Sequence, residues 1–213
     1  MFVQKFCSGP FDTNAILFAC TETKKAAVID PSSGSTELLL KVAEEEGFKI
    51  GEIFLTHSHW DHIADVYSLQ AKTGASVFVH HLDAENLRHP GSDGLPLFFP
   101  IRGVEPDGFL EEGKRLQVGN LQIEVIHTPG HSPGCVCLYL RNEKVLFSGD
   151  TLFQGTIGNL HLPTGEPKNM WGSLRKLAAL PPETRVIPGH GGDTTLSQET
   201  WLKDAEKIFS EER

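Results

Sequence analysis

Short apolar runs open the chain. Phe2–Phe6, Ala15–Ala19 and Ala26–Ile29 are separated by Gly9-Pro10 and by the polar stretch Thr21–Lys25, which predicts a β-meander. Pro31-Ser32-Ser33-Gly34 then interrupts the chain, and the period changes. Leu38, Leu39, Val42 and Ala43 recur at helical spacing, with Ser35 placed to cap that helix and Gly47 to end it. Ile50–Leu55 predicts the next strand, a second helix runs through about Thr73, and Val77–Val79 is another short strand. His89–Glu112 is rich in Gly and Pro with scattered Phe and has no period, which predicts a long loop, a candidate lid. Arg115–Val118 and Leu121–Ile126 flank the turn Gly119-Asn120, and Leu121, Ile123 and Val125 alternate with Gln122 and Glu124 as in a half-buried strand. Cys135–Leu140 and Lys144–Phe147 read as a second pair. The tail predicts a helix over Asn169–Leu180, a strand over Arg185–Ile187 and a final helix over Ser197–Ser210. No repeat of fixed period is present. Two halves of similar content, strands then helix, predict two packed sheets with helices outside in one compact domain over 1–213.

Composition narrows the classes. The 213 residues are 39% hydrophobic and 22% charged, enough for a sizeable core without disulfides or structural metals. Nineteen Lys and Arg against 28 Asp and Glu give a net charge of −9, and no basic block offsets it, so nucleic acid is not expected as a partner. No apolar run approaches the ~18 residues of a membrane span, so no membrane partner is expected. Met1–Gly9 lacks the apolar core of a secretory signal, and four Cys do not make a disulfide scaffold, so the expected setting is a reducing cytoplasm.

The chemistry lies among the ten His. His57-Ser58-His59-Trp60-Asp61-His62 places three imidazoles and a carboxylate at the end of a predicted strand, where packing does not require them. Spacing of two in an extended segment sends His57 and His59 to the same side. Asp61 and His62 follow where the chain turns into a helix. Three later segments repeat the arrangement: Thr128-Pro129-Gly130-His131, Ser148-Gly149-Asp150 and Pro188-Gly189-His190 each put a potential ligand on a Gly-containing turn just past an apolar run. Five His and two Asp exceed what one ion needs, since zinc commonly takes about four ligands. They suffice for two. His57, His59 and His131 are assigned to one ion, Asp61, His62 and His190 to a second, with Asp150 bridging. Two divalent ions, two carboxylates and a hydroxide leave about +1 at the centre, which predicts an anionic small-molecule substrate.

The runs THSHWDH, TPGHSPG, FSGDTLF and IPGHGGD, in this order, resemble the metallo-β-lactamase superfamily over nearly the whole chain. Within it the chain is similar to the glyoxalase II-like, or hydroxyacylglutathione hydrolase-like, thioesterases, through Gly155-Thr156-Ile157-Gly158 and Thr164-Gly165. The resemblance implies an α/β (α+β) fold, a four-layer αββα sandwich with the metals at one sheet edge, and the same ligand set. It implies two divalent ions, zinc first and iron or manganese as alternatives, and hydrolysis of an S-acyl glutathione or a similar thioester. Coordination would lower the pKa of water towards ~7 and supply hydroxide as the attacking group. Asp61 and Asp150 are the expected catalytic carboxylates, and thiolate leaves without a dedicated acid. Where relatives carry Gly-Arg-Thr-Asp, this chain reads Gly158-Asn159-Leu160-His161-Leu162-Pro163, so Asn159 and His161 are the candidate substrate contacts. Full-length glyoxalase II carries a glutathione-gripping helical extension after the last ligand, whereas only 23 residues follow His190 here, so that route of recognition is not expected. Persulfide dioxygenases of the same superfamily use one iron held by two His and one Asp, matched here by His57, His131 and Asp150. That oxidoreductase is the alternative, and a metal-binding scaffold without turnover is a third possibility.

Other features have plainer readings. Cys135 and Cys137 are expected as buried thiols, His80, His81 and His89 as helix-start and loop residues, and His127 as a strand end. Phe98-Phe99 either line a cleft or anchor the long loop, and Trp201, Ala205 and Ile208 form a packing stripe.

Overall fold

The computed structural model describes residues 1–210, so only 211–213 of the expected domain lie outside the described residues. Strands β1 (Phe2–Ser8), β2 (Thr13–Ala19) and β3 (Lys25–Ile29) form the predicted meander. Helix α1 (Thr36–Glu46) crosses to β4 (Lys49–Phe54), which pairs parallel to β3. Helices α2 (Trp60–Ile63) and α3 (Val66–Thr73) lead to β5 (Ser76–Val79), also parallel, and α4 (Ala84–Arg88) follows. The second half begins with β6 (Gly108–Phe109), which joins the edge of the first sheet beside β5. It continues through β7 (Arg115–Val118), β8 (Leu121–His127), β9 (Val136–Leu140) and β10 (Val145–Gly149), an antiparallel series. A small hairpin, β11 (Leu152–Phe153) with β12 (Thr156–Ile157), and helix α5 (Pro167–Ala178) precede β13 (Arg185–Pro188), which runs parallel to β10. Strand β14 (Thr194–Thr195), a 3-10 turn over Thr200–Asp204 and α6 (Ala205–Ser210) are the last elements among the described residues. The result is two six-stranded sheets, ordered β1-β2-β3-β4-β5-β6 and β14-β13-β10-β9-β8-β7.

Alternation along the buried strands produces the layers. In β2, Ile16 and Phe18 join the core between the sheets, while Ala15, Leu17 and Ala19 face a second cluster under α1 and α3. In β9, Val136, Leu138 and Leu140 meet the same central core, while Cys137 and Tyr139 face a third cluster built on Met170, Leu174 and Leu177 of α5. A strand covered on both faces needs apolar residues at every position, which is why these read as continuous hydrophobic runs. The αββα sandwich follows from those three clusters.

Several local expectations shift. The helix after the first motif is broken between Ile63 and Val66, and Asp65, freed at the break, accepts hydrogen bonds from the Thr36 backbone N–H (3.0 Å) and hydroxyl (2.9 Å). It therefore caps α1 in place of Ser35, whose side chain makes no cap bond, while Gly47 ends α1 in the left-handed conformation as expected. The final helix is a 3-10 turn followed by only six helical residues. The long loop is not wholly irregular, since Asp107 bonds Val77 through backbone and side chain and leads into β6.

Candidate metal centre

All four predicted ligand segments end strands on one edge of the sandwich, where parallel connections in open sheets gather their chemistry. His57 and His59 follow β4, His131 follows β8, Asp150 follows β10 and His190 follows β13. The two sheets are tied together there. Asn14 donates through its amide group to the carbonyls of Pro188 and Gly191, both at 3.0 Å, and its backbone N–H bonds Gly189 at 2.7 Å. Two glycines are required by crowding. Gly149 has φ +49°, and a Cβ there would come within 2.5 Å of the Thr56 side chain. At Gly189 a Cβ would sit 2.8 Å from the His62 ring.

The seven predicted side chains converge. Ligand-capable atoms of His57, His59 and His131 lie within 4.8 Å of one another, and so do those of Asp61, His62 and His190. Asp150 joins the two trios. Its Oδ1 lies 3.4 Å from His62 Nε2, and its Oδ2 lies 3.4 Å from both His131 Nε2 and His190 Nε2. Asp61 Oδ2 is likewise 3.4 Å from His62 Nε2 and from His190 Nε2. A tetrahedral ion with bonds of about 2.1 Å has ligand–ligand edges of about 3.4 Å, so these spacings fit a divalent metal shell.

Each imidazole has one nitrogen committed to the protein. His57 Nδ1–H donates to Thr56 Oγ1 (3.1 Å), and that hydroxyl donates to Asp30 Oδ2 (2.6 Å). His62 Nδ1–H donates to the same Asp30 oxygen at 2.9 Å. Thr164 Oγ1 donates to the His131 carbonyl (3.1 Å) and so accepts from His59 Nε2–H (2.9 Å), leaving His59 Nδ1 free. His131 Nδ1–H donates to the Asn159 carbonyl and His190 Nδ1–H to the Phe11 carbonyl, both at 2.9 Å. These bonds orient the rings and aim the other nitrogen of each inwards. His57 Nε2, His131 Nε2 and Asp150 Oδ1 are buried without any hydrogen-bond partner, a costly state that a cation would relieve.

The two trios differ electrically. Burial, reinforced by neighbouring imidazoles, pushes His57 well below the ordinary range and His59 down to about 3, so both are neutral donors. Burial also lowers His62, but Asp61, Asp150 and Asp30 outweigh it and hold it well above the ordinary value. At His190 burial is likewise overcome by Asp150 and Asp61, which push it up to about 9. Burial raises Asp61 and Asp150, but His62 and His190 outweigh it and hold both carboxyls well below the usual range.

Several of these partners are absent from the sequence reading. Asp30 ends β3 on a left-handed residue (φ 49°) just before Pro31, the same strand-end signature as the ligands. Thr13 Oγ1 donates to Asp61 Oδ2 at 2.7 Å. Buried Asp83 accepts from Ser58 N–H (2.9 Å), Ser132 Oγ (2.9 Å) and Gly134 N–H (2.7 Å), binding the first two ligand loops to each other. A cavity of about 430 Å³ opens over the centre, lined at its floor by His59, Asp61, His131, Asp150 and His190. Its wall is Phe11, Trp60, Leu95, Pro96, Phe98 and Leu162. Neither candidate substrate contact is on that wall. His161 is exposed, and Asn159 is exposed and acts on the centre through its backbone carbonyl. Among the described residues the metal-competent groups include no cysteine, and Cys135 and Cys137 are buried, with burial raising Cys137 to about 11. His80 and His127 stack at 4.1 Å, apart from either trio.

Comparison with known proteins identifies the family. The family described as "Metallo-beta-lactamase superfamily" matches residues 8–190. The hydroxyacylglutathione hydrolase GloC of Haemophilus influenzae is 33% identical over 187 residues, covering 84% of this chain and 85% of that protein. Among solved structures, the BLEG-1 B3 metallo-beta-lactamase superposes with a TM-score of 0.87 at 33% identity, covering 98% of this chain and 100% of that one. TTHA1623 in a di-iron-bound form gives a TM-score of 0.80 at 38% identity, covering 92% and 96%.

Proposed function

The chain belongs to the metallo-beta-lactamase superfamily, and on that premise we propose that it is a dinuclear metal-dependent hydrolase of thioesters, of the S-acyl glutathione type or similar. The observation that carries this is the pair of complete trios joined by Asp150, with every imidazole held by the protein at one nitrogen so that its other nitrogen faces the centre. When bound, two divalent cations would supply Lewis acidity and water of pKa near ~7. His57, His59 and His131 would hold one and Asp61, His62 and His190 the other. Thr56, Thr164, Asp30 and the carbonyls of Asn159 and Phe11 keep the five rings oriented. Asp61 is tied at Oδ2 by Thr13, and no protein hydrogen bond holds its Oδ1 among the described residues, so that oxygen is the proposed acceptor for the proton of the attacking water. Apart from the ligand imidazoles, no protic side chain among the described residues lines the cavity and could protonate a leaving amine. A thiolate needs no such donor, which favours a thioester over an amide.

The one-iron oxidoreductase would use His57, His131 and Asp150 of the same cluster, so metal content and the reaction catalysed decide between the two. Four unpaired cysteines and the lack of any helix long and apolar enough to cross a membrane among the described residues support the cytoplasm as its proposed setting. Metal quantification joined to turnover of S-lactoylglutathione and other thioesters tests the proposal. Two metals per chain and thioester hydrolysis are expected. One iron per chain with sulfur-dependent oxygen uptake would overturn it.

A further inference from the structure

The cavity is divided by chemistry. Its floor consists of metal-facing side chains, whereas all six wall residues are apolar: Phe11, Trp60, Leu95, Pro96, Phe98 and Leu162. Among the described residues no Lys or Arg lines it. The wall is assembled from separate segments. Trp60, 4% exposed, sits between the ligands His59 and Asp61, and its ring centroid lies 5.1 Å from those of both Phe11 and Phe98. Phe11 and Phe98 meet edge to face at 5.7 Å and remain 51% and 65% exposed at the mouth. Phe98 is the most exposed large hydrophobic side chain among the described residues. Apolar side chains left in water at the rim of a cavity mark a surface that an apolar ligand covers.

Charge points the same way. Asp30 accepts three hydrogen bonds, two from Thr56 and one from His62, and lies within the ligand shell's reach. Counting it, two divalent cations, three carboxylates and a hydroxide sum to about zero, not about +1. The floor therefore offers an anion no net attraction, and the wall offers it no partner. The two carboxylates of a glutathione thioester would find no cationic side chain among the described residues that line the cavity, whereas an uncharged apolar group would find the whole wall.

We infer that this chain is built for thioesters carrying an extended uncharged, apolar group next to the scissile bond, and that the aromatic wall is its specificity element. This rests on the hydrolase reading above. The apolar group could belong to the acyl or the thiol half, and two substrate series separate these. One is S-acyl N-acetylcysteamine from acetyl to octanoyl, and the other is the acetyl thioesters of ethanethiol to octanethiol. With the metal-loaded protein, kcat/KM is expected to rise about threefold to fourfold per methylene in one series, as full burial of each methylene would give. Octanoyl or octyl substrates should exceed S-lactoylglutathione. Phe98→Ser, a change at an exposed position that leaves the core intact, should flatten that rise.

Binding supplies a readout independent of turnover. S-alkyl N-acetylcysteamine thioethers have no carbonyl to hydrolyse, and calorimetry should show octyl binding at least tenfold tighter than ethyl. If no thioester is hydrolysed while the octyl thioether still binds more tightly, the hydrolase reading fails and the apolar wall stands. If thioesters turn over but kcat/KM is flat or falls with chain length in both series, and S-lactoylglutathione is preferred, the hydrolase stands and this inference is overturned.

Discussion

The two trios beneath the cavity, three imidazoles in one and two imidazoles with a carboxylate in the other, hold their rings in opposite electrostatic states. His57, His59 and His131 are buried, and at His57 and His59 burial keeps the rings neutral without a cation. Asp61, His62 and His190 form the other trio, where carboxylates overcome burial and hold His62 and His190 protonated. His57 and His59 are thus preorganised with free lone pairs, whereas at His62 and His190 protons occupy the place of the metal. Asp150 belongs to both. The contrast teaches that ligand identity does not by itself describe a metal site, because the surroundings decide what must leave before the cation enters.

The most severe way to break the contrast is Asp150→Ala. Removing the one carboxylate that faces His62, His131 and His190 should release both metals and reduce kcat/KM by about a thousandfold or more. Elemental analysis and kinetics on the same sample check this. Retention of two metals would show that the trios are independent.

Acidity should divide the trios. In the metal-free protein His190, pushed up to about 9, and His62, also raised, carry protons at neutral pH that a cation must expel. Affinity for the second equivalent should therefore fall about tenfold or more per pH unit as the solution is acidified below 9, and binding should release protons. The first equivalent meets neutral His57 and His59 and should be much less affected. Calorimetry in buffers of different ionisation enthalpy reads the proton count. The linked effect on stability has a definite sign. Raised histidines stabilise the metal-free fold fully below their ordinary pKa, and that contribution is lost as pH rises through about 9. The Tm of the metal-free protein should fall across that interval and that of the loaded protein should not.

Orientation should also act on one trio at a time. Thr164→Val removes the acceptor that fixes His59, and Asp30→Asn weakens the anchor of His62, so each should cost about 10–100-fold in affinity for one equivalent. Thr164→Val should act on the first metal. Asp30→Asn should act mainly on the second and reach the first more weakly through Thr56 and His57. Equal losses of both metals in Thr164→Val would mean the trios are not separable.

How much of this was legible in the sequence follows from where each residue's role resides. The seven ligands were readable because each is a polar residue stranded after an apolar run, an anomaly that local patterning exposes. The first meander, and two packed sheets with helices outside, were readable from the short apolar runs and from the strands-then-helix content of each half. Asp30 has the same local signature but stands alone, with no neighbouring His to draw notice, and only the fold brings it to His62 and Thr56. Thr13 acts on Asp61 within the first half and Phe11 acts on His190 from one half to the other, at separations that no periodicity encodes. Short elements escaped for another reason. Two-residue strands such as Gly108–Phe109 are held by their neighbours and have no pattern of their own.

The mildest test concerns the segment between the two trios and the cavity mouth. From its position, His161 is expected to touch substrate, yet its side chain is exposed and the wall takes Leu162 instead. What holds the segment in place is Asn159, whose carbonyl receives His131 Nδ1–H and whose side-chain oxygen accepts the His161 backbone N–H at 2.8 Å. That last bond uses only the backbone of His161, so His161→Ala keeps it. The variant should retain its full metal content and a KM within about twofold of the parent, the range of an exposed substitution. Leu162→Asn, by contrast, places an amide in the apolar wall and should raise KM for long-chain substrates more than for acetyl ones. A KM increase on losing His161 that equals the loss at Leu162 would mean the exposed imidazole folds over bound substrate.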